Sequence, residues 1–159
     1  MGVKVQNPMD HPTPEQLGAP DLKIAGFQMW VHGRQFSDST DYDDGNWLRV
    51  TAHVGAVGVS VWVSGAIMMI TDLIQFGQEV DGLAKGETQR ADLKPFEPEL
   101  RLQIEQLDSL GHLTMQVQIT PDHLTQEHSF EFEIDQSYLP GISANCRALA
   151  NTYPARGHR

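Results

Sequence analysis

The densest group of side chains that could do chemistry is a run of aspartates between residues 38 and 46. It comprises Asp38, Asp41, Asp43 and Asp44, followed by Gly45 and Asn46. Carboxylates at this density suggest a calcium loop, but with Asp41 first, glycine comes fifth instead of sixth, and the twelfth residue is Ala52 instead of Glu. Asp and Gly also suit turns. The pattern therefore predicts an acidic turn and assigns no metal ligand.

Other residue types that support catalysis give no motif. The histidines form no His-x-x-x-His pair, and His123 and His128 lack a third ligand for zinc. Cys146 lies on the apolar stripe of a predicted helix, where a free cysteine is usually a small buried hydrophobe. Nucleophile-elbow, phosphate-loop and dinucleotide motifs are absent from the sequence. We therefore predict no catalytic, cofactor-binding or metal residue and expect a protein that is not an enzyme.

One aromatic side chain falls among acids and amides on the solvated face of the predicted sheet. Trp62 alternates with valines in segment 57–64, and Glu131 and Glu133 alternate with apolar residues further along. An aromatic residue beside charged groups is typical of an interface. The alternative is that Trp62 is covered by a loop or tail. The predicted partner-binding residues are Asp38, Asp41, Asp43, Asp44, Trp62, Glu131 and Glu133.

The charge balance bears on partners. Eleven Lys and Arg oppose 21 Asp and Glu, which gives a net charge of −10. Such a surface repels nucleic acid and attracts a basic protein.

Apolar segment 57–70 is interrupted by Ser and Gly and is shorter than the roughly 18 residues of a spanning helix, so no membrane partner is expected. The N-terminal residues resemble no signal peptide, and one cysteine cannot form an internal disulfide. We therefore expect a cytoplasmic location.

The elements that must position these residues are mainly strands. A period of two between apolar and polar residues predicts strands at 57–64, 100–105, 112–119 and 129–134, and weaker ones at 22–31, 47–54 and 88–93. Helical spacing predicts one helix after an N-cap at Thr71 and another from Asp135 or Ser137 to near Tyr153. The predicted class is α+β, a mainly antiparallel sheet of about six to seven strands with two helices packed on one face.

Composition at the two ends differs from that of the middle. Residues 1–20 contain four prolines and few aliphatic side chains, and 153–159 are similarly polar. Such segments bury too little surface to offset chain entropy. We predict flexible tails at 1–20 and 153–159 around a single domain at 21–152.

Three segments resemble a known family. They are residues 26–36 (GFQMWVHGRQF), 41–48 (DYDDGNWL) and 133–139 (EIDQSYL). Together with the order of elements, they are similar to WapI-type bacterial immunity proteins, in which Trp often stands at the position of Asp43. The same motifs have a structural explanation, since residues 44–46 suit a tight turn and Asp135 or Ser137 can cap a helix.

The resemblance implies an immunity protein that binds and neutralises the toxin domain of a polymorphic or contact-dependent toxin, without catalysis and without a cofactor. The charge favours a basic toxin, such as a nuclease with a cationic substrate-binding patch. One alternative is a small-molecule or metal-binding α+β domain, with hydrolytic activity, that uses loop 38–46. Another is an oligomeric scaffold that associates through a sheet edge.

Overall fold

The computed structural model describes residues 14–158 and contains two antiparallel sheets of four strands each. The first sheet has the order β1-β2-β3-β4 and comprises β1 (Leu22–Ile24), β2 (Phe27–Arg34), β3 (Trp47–Ala56) and β4 (Val59–Met69). The second has the order β5-β6-β7-β8 and comprises β5 (Arg90–Leu93), β6 (Leu100–Gln106), β7 (His112–Ile119) and β8 (Ser129–Asp135). The predicted α+β class is confirmed.

The single sheet of six to seven strands is wrong. Helix α3 (Ile70–Ala84) follows β4 directly, and the chain then begins a second sheet at β5. Each sheet is a meander whose sequential strands pair with one another. Alternation identifies which face of a strand is buried, but it does not specify which strands share hydrogen bonds. The sequence pattern was therefore compatible with one sheet or two.

Four α-helices accompany the sheets within residues 14–158. Two are single turns, α1 (Pro14–Leu17) and α2 (Tyr42–Gly45), and α4 (Leu139–Thr152) follows a 3₁₀ turn at Gln136–Tyr138. Of the two predicted caps, Asp135 and Ser137, it is Asp135 that caps this turn, by accepting a 2.8 Å hydrogen bond from the Ser137 amide. The predicted N-cap at Thr71 is wrong. Helix α3 already begins at Ile70, and Asp72 reaches back to accept from the Met69 amide at 2.8 Å.

The apolar faces of both sheets and of α3 and α4 form one hydrophobic core. Phe27, Val54 and Val61 lie opposite one another across the first sheet, and all are buried. The sheets meet at Gly26, where an added Cβ would lie 2.7 Å from the Phe132 ring. Apolar burial on both inner faces leaves the outer faces of the sheets to carry the polar residues.

Of the predicted tail 1–20, residues 1–13 lie outside the described part of the chain. Across residues 14–158, no helix combines the length and apolar character that crossing a membrane requires.

Candidate partner-binding surfaces

The aspartate run lies in the loop between β2 and β3, which contains α2. Asp38, Asp41, Asp43 and Asp44 are all exposed. Asp41 is the N-cap of α2, and its Oδ1 accepts a 2.7 Å hydrogen bond from the Asp44 amide. Asp41 therefore contributes to local structure, while the other three aspartates project charge from the loop.

The loop is held in place by the C-terminal segment. The Arg156 Nη1 donates to the backbone oxygens of Ser37 at 2.6 Å and Ser39 at 2.9 Å. Asn46 is fully buried, donates from Nδ2 to the Tyr42 and Arg156 oxygens, and accepts from the Arg156 amide. The prediction of a flexible tail at 153–159 did not anticipate these contacts, because their partners lie more than a hundred residues away in sequence.

Metal binding at this loop finds no geometric support. Within residues 14–158, no three His, Cys, Asp or Glu side chains are arranged to hold a metal ion. Asp41 is already engaged as a cap. Nothing in the described loop therefore favours the alternative of a metal-binding or hydrolytic domain.

Trp62 lies on the outer face of the first sheet and is half-buried. Its ring stacks on Trp30, with centroids 6.1 Å apart, and packs against His53 at 4.1 Å. Trp30 is almost fully buried and donates from Nε1 to the Gly18 oxygen at 3.0 Å. The predicted setting of Trp62 among acids is wrong, because Glu131 and Glu133 belong to the second sheet.

A chain of polar side chains runs beside this aromatic pair. His32 Nε2 lies 2.8 Å from Thr51 Oγ1, which lies 2.9 Å from Ser64 Oγ. These bonds satisfy the hydroxyl of Thr51, which is only 4% exposed. Sequence reasoning missed this network. Counting register outward from the 57–58 turn would have placed Thr51 opposite Ser64.

His53 contacts a serine on the same face. Its Nε2 lies 2.7 Å from Ser60 Oγ, while its buried Nδ1 has no hydrogen-bond partner within residues 14–158. Burial lowers the pKa of His53 and favours the neutral imidazole. A nucleophile–base pair needs a group that orients the far imidazole nitrogen. The His53–Ser60 pair has no such group among the described residues.

Glu131 and Glu133 are exposed on β8, an edge strand of the second sheet. They lie opposite Gln116 and Thr114 of β7, and Thr114 lies opposite Glu105 of β6. Three carboxylates therefore share this outer face near β8. The predicted site residues are consequently divided among three places: the aspartate loop, the outer face of the first sheet and the outer face of the second.

The loop and Trp62 are also far apart. Trp62 precedes Met69 by seven residues along β4, and Met69 lies opposite Trp47 beside the loop. At roughly 3.3 Å per residue, this separation is about 20 Å. A partner would need a standard-sized interface to touch both.

A polar cavity of about 380 Å³ lies between α3 and β5 and is lined by Asp72, Gln75, Glu79, Asp92 and Lys94. Burial raises the pKa of Asp72. Burial, together with the charge of Asp92, raises the pKa of Glu79. Oε2 of Glu79 and Oδ1 of Asp92 are buried without a hydrogen-bond partner in the described chain. The other Asp92 oxygen, Oδ2, accepts from Nε of Arg90 at 3.2 Å.

Cys146 is buried on the side of α4 that contacts α3. An added Cβ on Gly77 would lie 2.9 Å from the Cys146 Cβ, which shows how closely the helices approach. Burial, with a smaller contribution from the charge of Asp81, raises the pKa of the thiol to about 12. The interpretation of Cys146 as a buried hydrophobe is confirmed.

The fold and these surfaces define a two-sheet α+β protein that displays separate acidic and aromatic surfaces. The chain belongs to the immunity protein WapI-like family, whose model matches residues 20–154. Motif 41–48 forms α2 and the start of β3, and 133–139 forms the end of β8, the 3₁₀ turn and the first residue of α4.

Other comparisons are distant. No curated protein matches the chain significantly. The structure is similar to a plant transcriptional regulator, PBF-2, at 11% identity and a TM-score of 0.44, covering 80% of this chain and 75% of that one. It is also similar to WHY3 from Arabidopsis thaliana at 14% identity and a TM-score of 0.38, covering 78% and 80%. TM-scores below 0.5 do not establish a shared fold.

Proposed function

We propose that this chain is a cytoplasmic immunity protein that neutralises one cognate bacterial toxin domain by stoichiometric binding. The observation that carries the proposal is membership of the WapI-like family across residues 20–154. Binding covers or distorts the functional surface of the toxin. The chain contributes no chemistry of its own.

The charge of the protein supports a basic toxin as partner. The net charge is −10, and exposed carboxylates lie in the aspartate loop and along β8. A cationic toxin surface, such as the substrate-binding patch of a nuclease, would be attracted over a Debye length of about 8 Å. The immunity protein would then compete with nucleic acid for that patch.

Fixed loop geometry also supports binding. Arg156 and Asn46 hold the aspartate loop at several backbone groups. A surface that is ordered before association loses less conformational entropy when the complex forms. Asp38, Asp43 and Asp44 are therefore presented to a partner on an ordered loop.

Two features support a non-catalytic mechanism. The Cys146 thiol is buried and stays protonated at neutral pH because its pKa is about 12. His53 contacts Ser60, but no described group orients its Nδ1. Neither Cys146 nor Ser60 is therefore set up as an activated nucleophile.

The experiment is co-expression with the toxin domain encoded beside this gene. Survival of cells that the toxin alone kills, together with a one-to-one complex by size-exclusion chromatography and light scattering, is the expected result. The same chromatography of the free protein tests the oligomeric-scaffold alternative. A toxin from an unrelated locus is the control for specificity.

Absence of protection by a folded, expressed chain would contradict the proposal for that toxin. Folding is checked by circular dichroism and a cooperative melt. Protection with substoichiometric amounts of the chain would contradict the stoichiometric mechanism and point to catalysis instead.

A further inference from the structure

The hairpin between β6 and β7 exposes apolar surface next to a cavity. Leu107 and Leu110 are 57% and 81% exposed. Leu107 lines a cavity of about 280 Å³ together with Leu113 and Ile134, both of which are buried. The exposed side chains Phe96 and Leu124 lie on other loops and do not line this cavity. Solvent-exposed leucine beside a concave apolar surface is typical of an interaction site.

The same cavity also has titratable side chains in its lining. They are Asp108, Glu133 and His112. Glu133 lies across β7 from Glu105, and Asp135 lies opposite His112. The charges of Asp108, Glu133 and Asp135 all act on His112. No hydrogen bond occupies the Glu133 carboxylate within residues 14–158, so its oxygens can accept from a ligand.

The hairpin is held in one conformation before any partner arrives. Asp108 Oδ1 accepts from the Leu110 amide at 2.8 Å, and Oδ2 lies 2.7 Å from Nδ1 of His112. Gln106 donates from Nε2 to the Asp108 oxygen at 2.6 Å. An ordered site loses little conformational entropy on binding.

Apolar side chains beside the Glu133 carboxylate match one side chain in particular. Arginine carries three methylene groups that pack on apolar surface and a planar guanidinium that donates to carboxylates in a fork. Lysine offers only a compact ammonium charge. We propose that the cavity at the β6–β7 hairpin receives an arginine side chain from a basic protein partner. This inference rests on the proposed function, in which that partner is the toxin domain.

The first test requires no toxin. Nα-acetyl-arginine methylamide is titrated into ¹⁵N-labelled protein, with the lysine analogue as a comparison. Chemical shifts are expected to change at residues 107–113 and 133–134, with weaker binding of lysine. Glu133→Gln is expected to weaken binding about two- to fivefold, as for an exposed ion pair. Glu131→Gln on the same strand is the matched control and should leave it unchanged.

The second test uses the toxin. Leu107→Ser and Glu133→Gln are each expected to weaken toxin binding about tenfold, as for interface residues that carry much of the affinity. Leu124→Ser, at another exposed leucine, and Glu97→Gln, at an exposed carboxylate on another loop, should change it less than about twofold. Unaltered amide spectra outside the hairpin establish that each variant is folded.

The outcomes separate this inference from the proposed function. Toxin binding that is equally tight in all four variants overturns the arginine site and leaves the immunity function standing. Shifts that are scattered over the surface, or equal for arginine and lysine, also overturn it. If wild-type protein binds no toxin, the proposed function fails and the arginine titration alone decides the site.

Discussion

At the scale of single residues, the ion pair between His112 and Asp108 gives the clearest pH signature. A hydrogen bond and charge attraction from Asp108 raise the pKa of His112 above 6.5, and the same hydrogen bond lowers the pKa of Asp108 below 3.8. The contribution of His112 to stability is full below pH 6.5 and is lost as pH rises through its folded pKa. That of Asp108 is present above pH 3.8 and is lost as pH falls through its folded pKa.

We expect Asp108→Asn to return the pKa of His112 toward 6.5, because the variant removes the negative charge and the carboxylate acceptor. The measurement is an NMR titration of the imidazole protons. Asp122→Asn, on a different loop, is the control and should not change the titration of His112. An unchanged His112 pKa in Asp108→Asn would contradict the ion pair.

Gly26 is a second residue whose role depends on its surroundings. An added Cβ would lie 2.3 Å from the Gly55 oxygen and 2.7 Å from the Phe132 ring. We expect Gly26→Ala to lower the free energy of unfolding by about 1–3 kcal/mol, because backbone and ring must both shift. Urea denaturation followed by circular dichroism measures this.

Gly141→Ala is the matched control for that substitution. Gly141 is in the first turn of α4, and its Cβ would meet nothing within 4 Å. Alanine there should raise stability by up to about 1 kcal/mol through helix propensity. Equal effects of the two substitutions would contradict close packing between the sheets at Gly26.

At the scale of elements, the C-terminal segment orders the aspartate loop. Arg156 donates to Ser37 and Ser39, so we expect Arg156→Ala to cost about 1–2 kcal/mol and to loosen residues 37–44. Hydrogen exchange measured by mass spectrometry should become faster in that loop and stay unchanged in α3. His158→Ala, two residues further along, is the control. Unchanged exchange in the loop would show that Asn46 alone suffices to hold it.

At the scale of the whole molecule, charge should govern the speed of association with a basic toxin. Raising the salt concentration from about 50 to about 300 mM is expected to slow association about tenfold, because ions screen exposed charges. Stopped-flow fluorescence or surface plasmon resonance gives the rate constants. The dissociation rate should change much less.

Charge-reversal pairs test where that attraction originates. Replacing Asp38 and Asp43 with lysine changes the net charge by +4 at the aspartate loop and leaves the Asp41 cap intact. Replacing Glu131 and Glu133 with lysine makes the same change on β8. Lysine at Glu97 and Glu127, both exposed on other loops, makes the same net change elsewhere. We expect slower association for the first two pairs than for the third. Equal rates for all three pairs would assign the effect to net charge rather than to either surface.

The sequence by itself predicted the elements that depend on local pattern. The α+β class, the position of α4 and a cap at Asp135 or Ser137 ahead of it were all predicted, because alternation, helical spacing and capping chemistry act over a few residues. The family resemblance could also be found from the sequence, because it rests on contiguous motifs. The burial of Cys146 was also predicted, from its place on an apolar stripe.

Tertiary structure alone decided which of these elements meet. The division into two sheets separated Trp62 from Glu131 and Glu133, because strand pairing depends on chain connections that alternation does not encode. Contacts of Arg156 with the aspartate loop join segments more than a hundred residues apart. The cavity beside Leu107 exists only where the hairpin meets β8. Sequence pattern thus specified the faces of the strands, and the pairing and packing of distant segments determined the surfaces available to a partner.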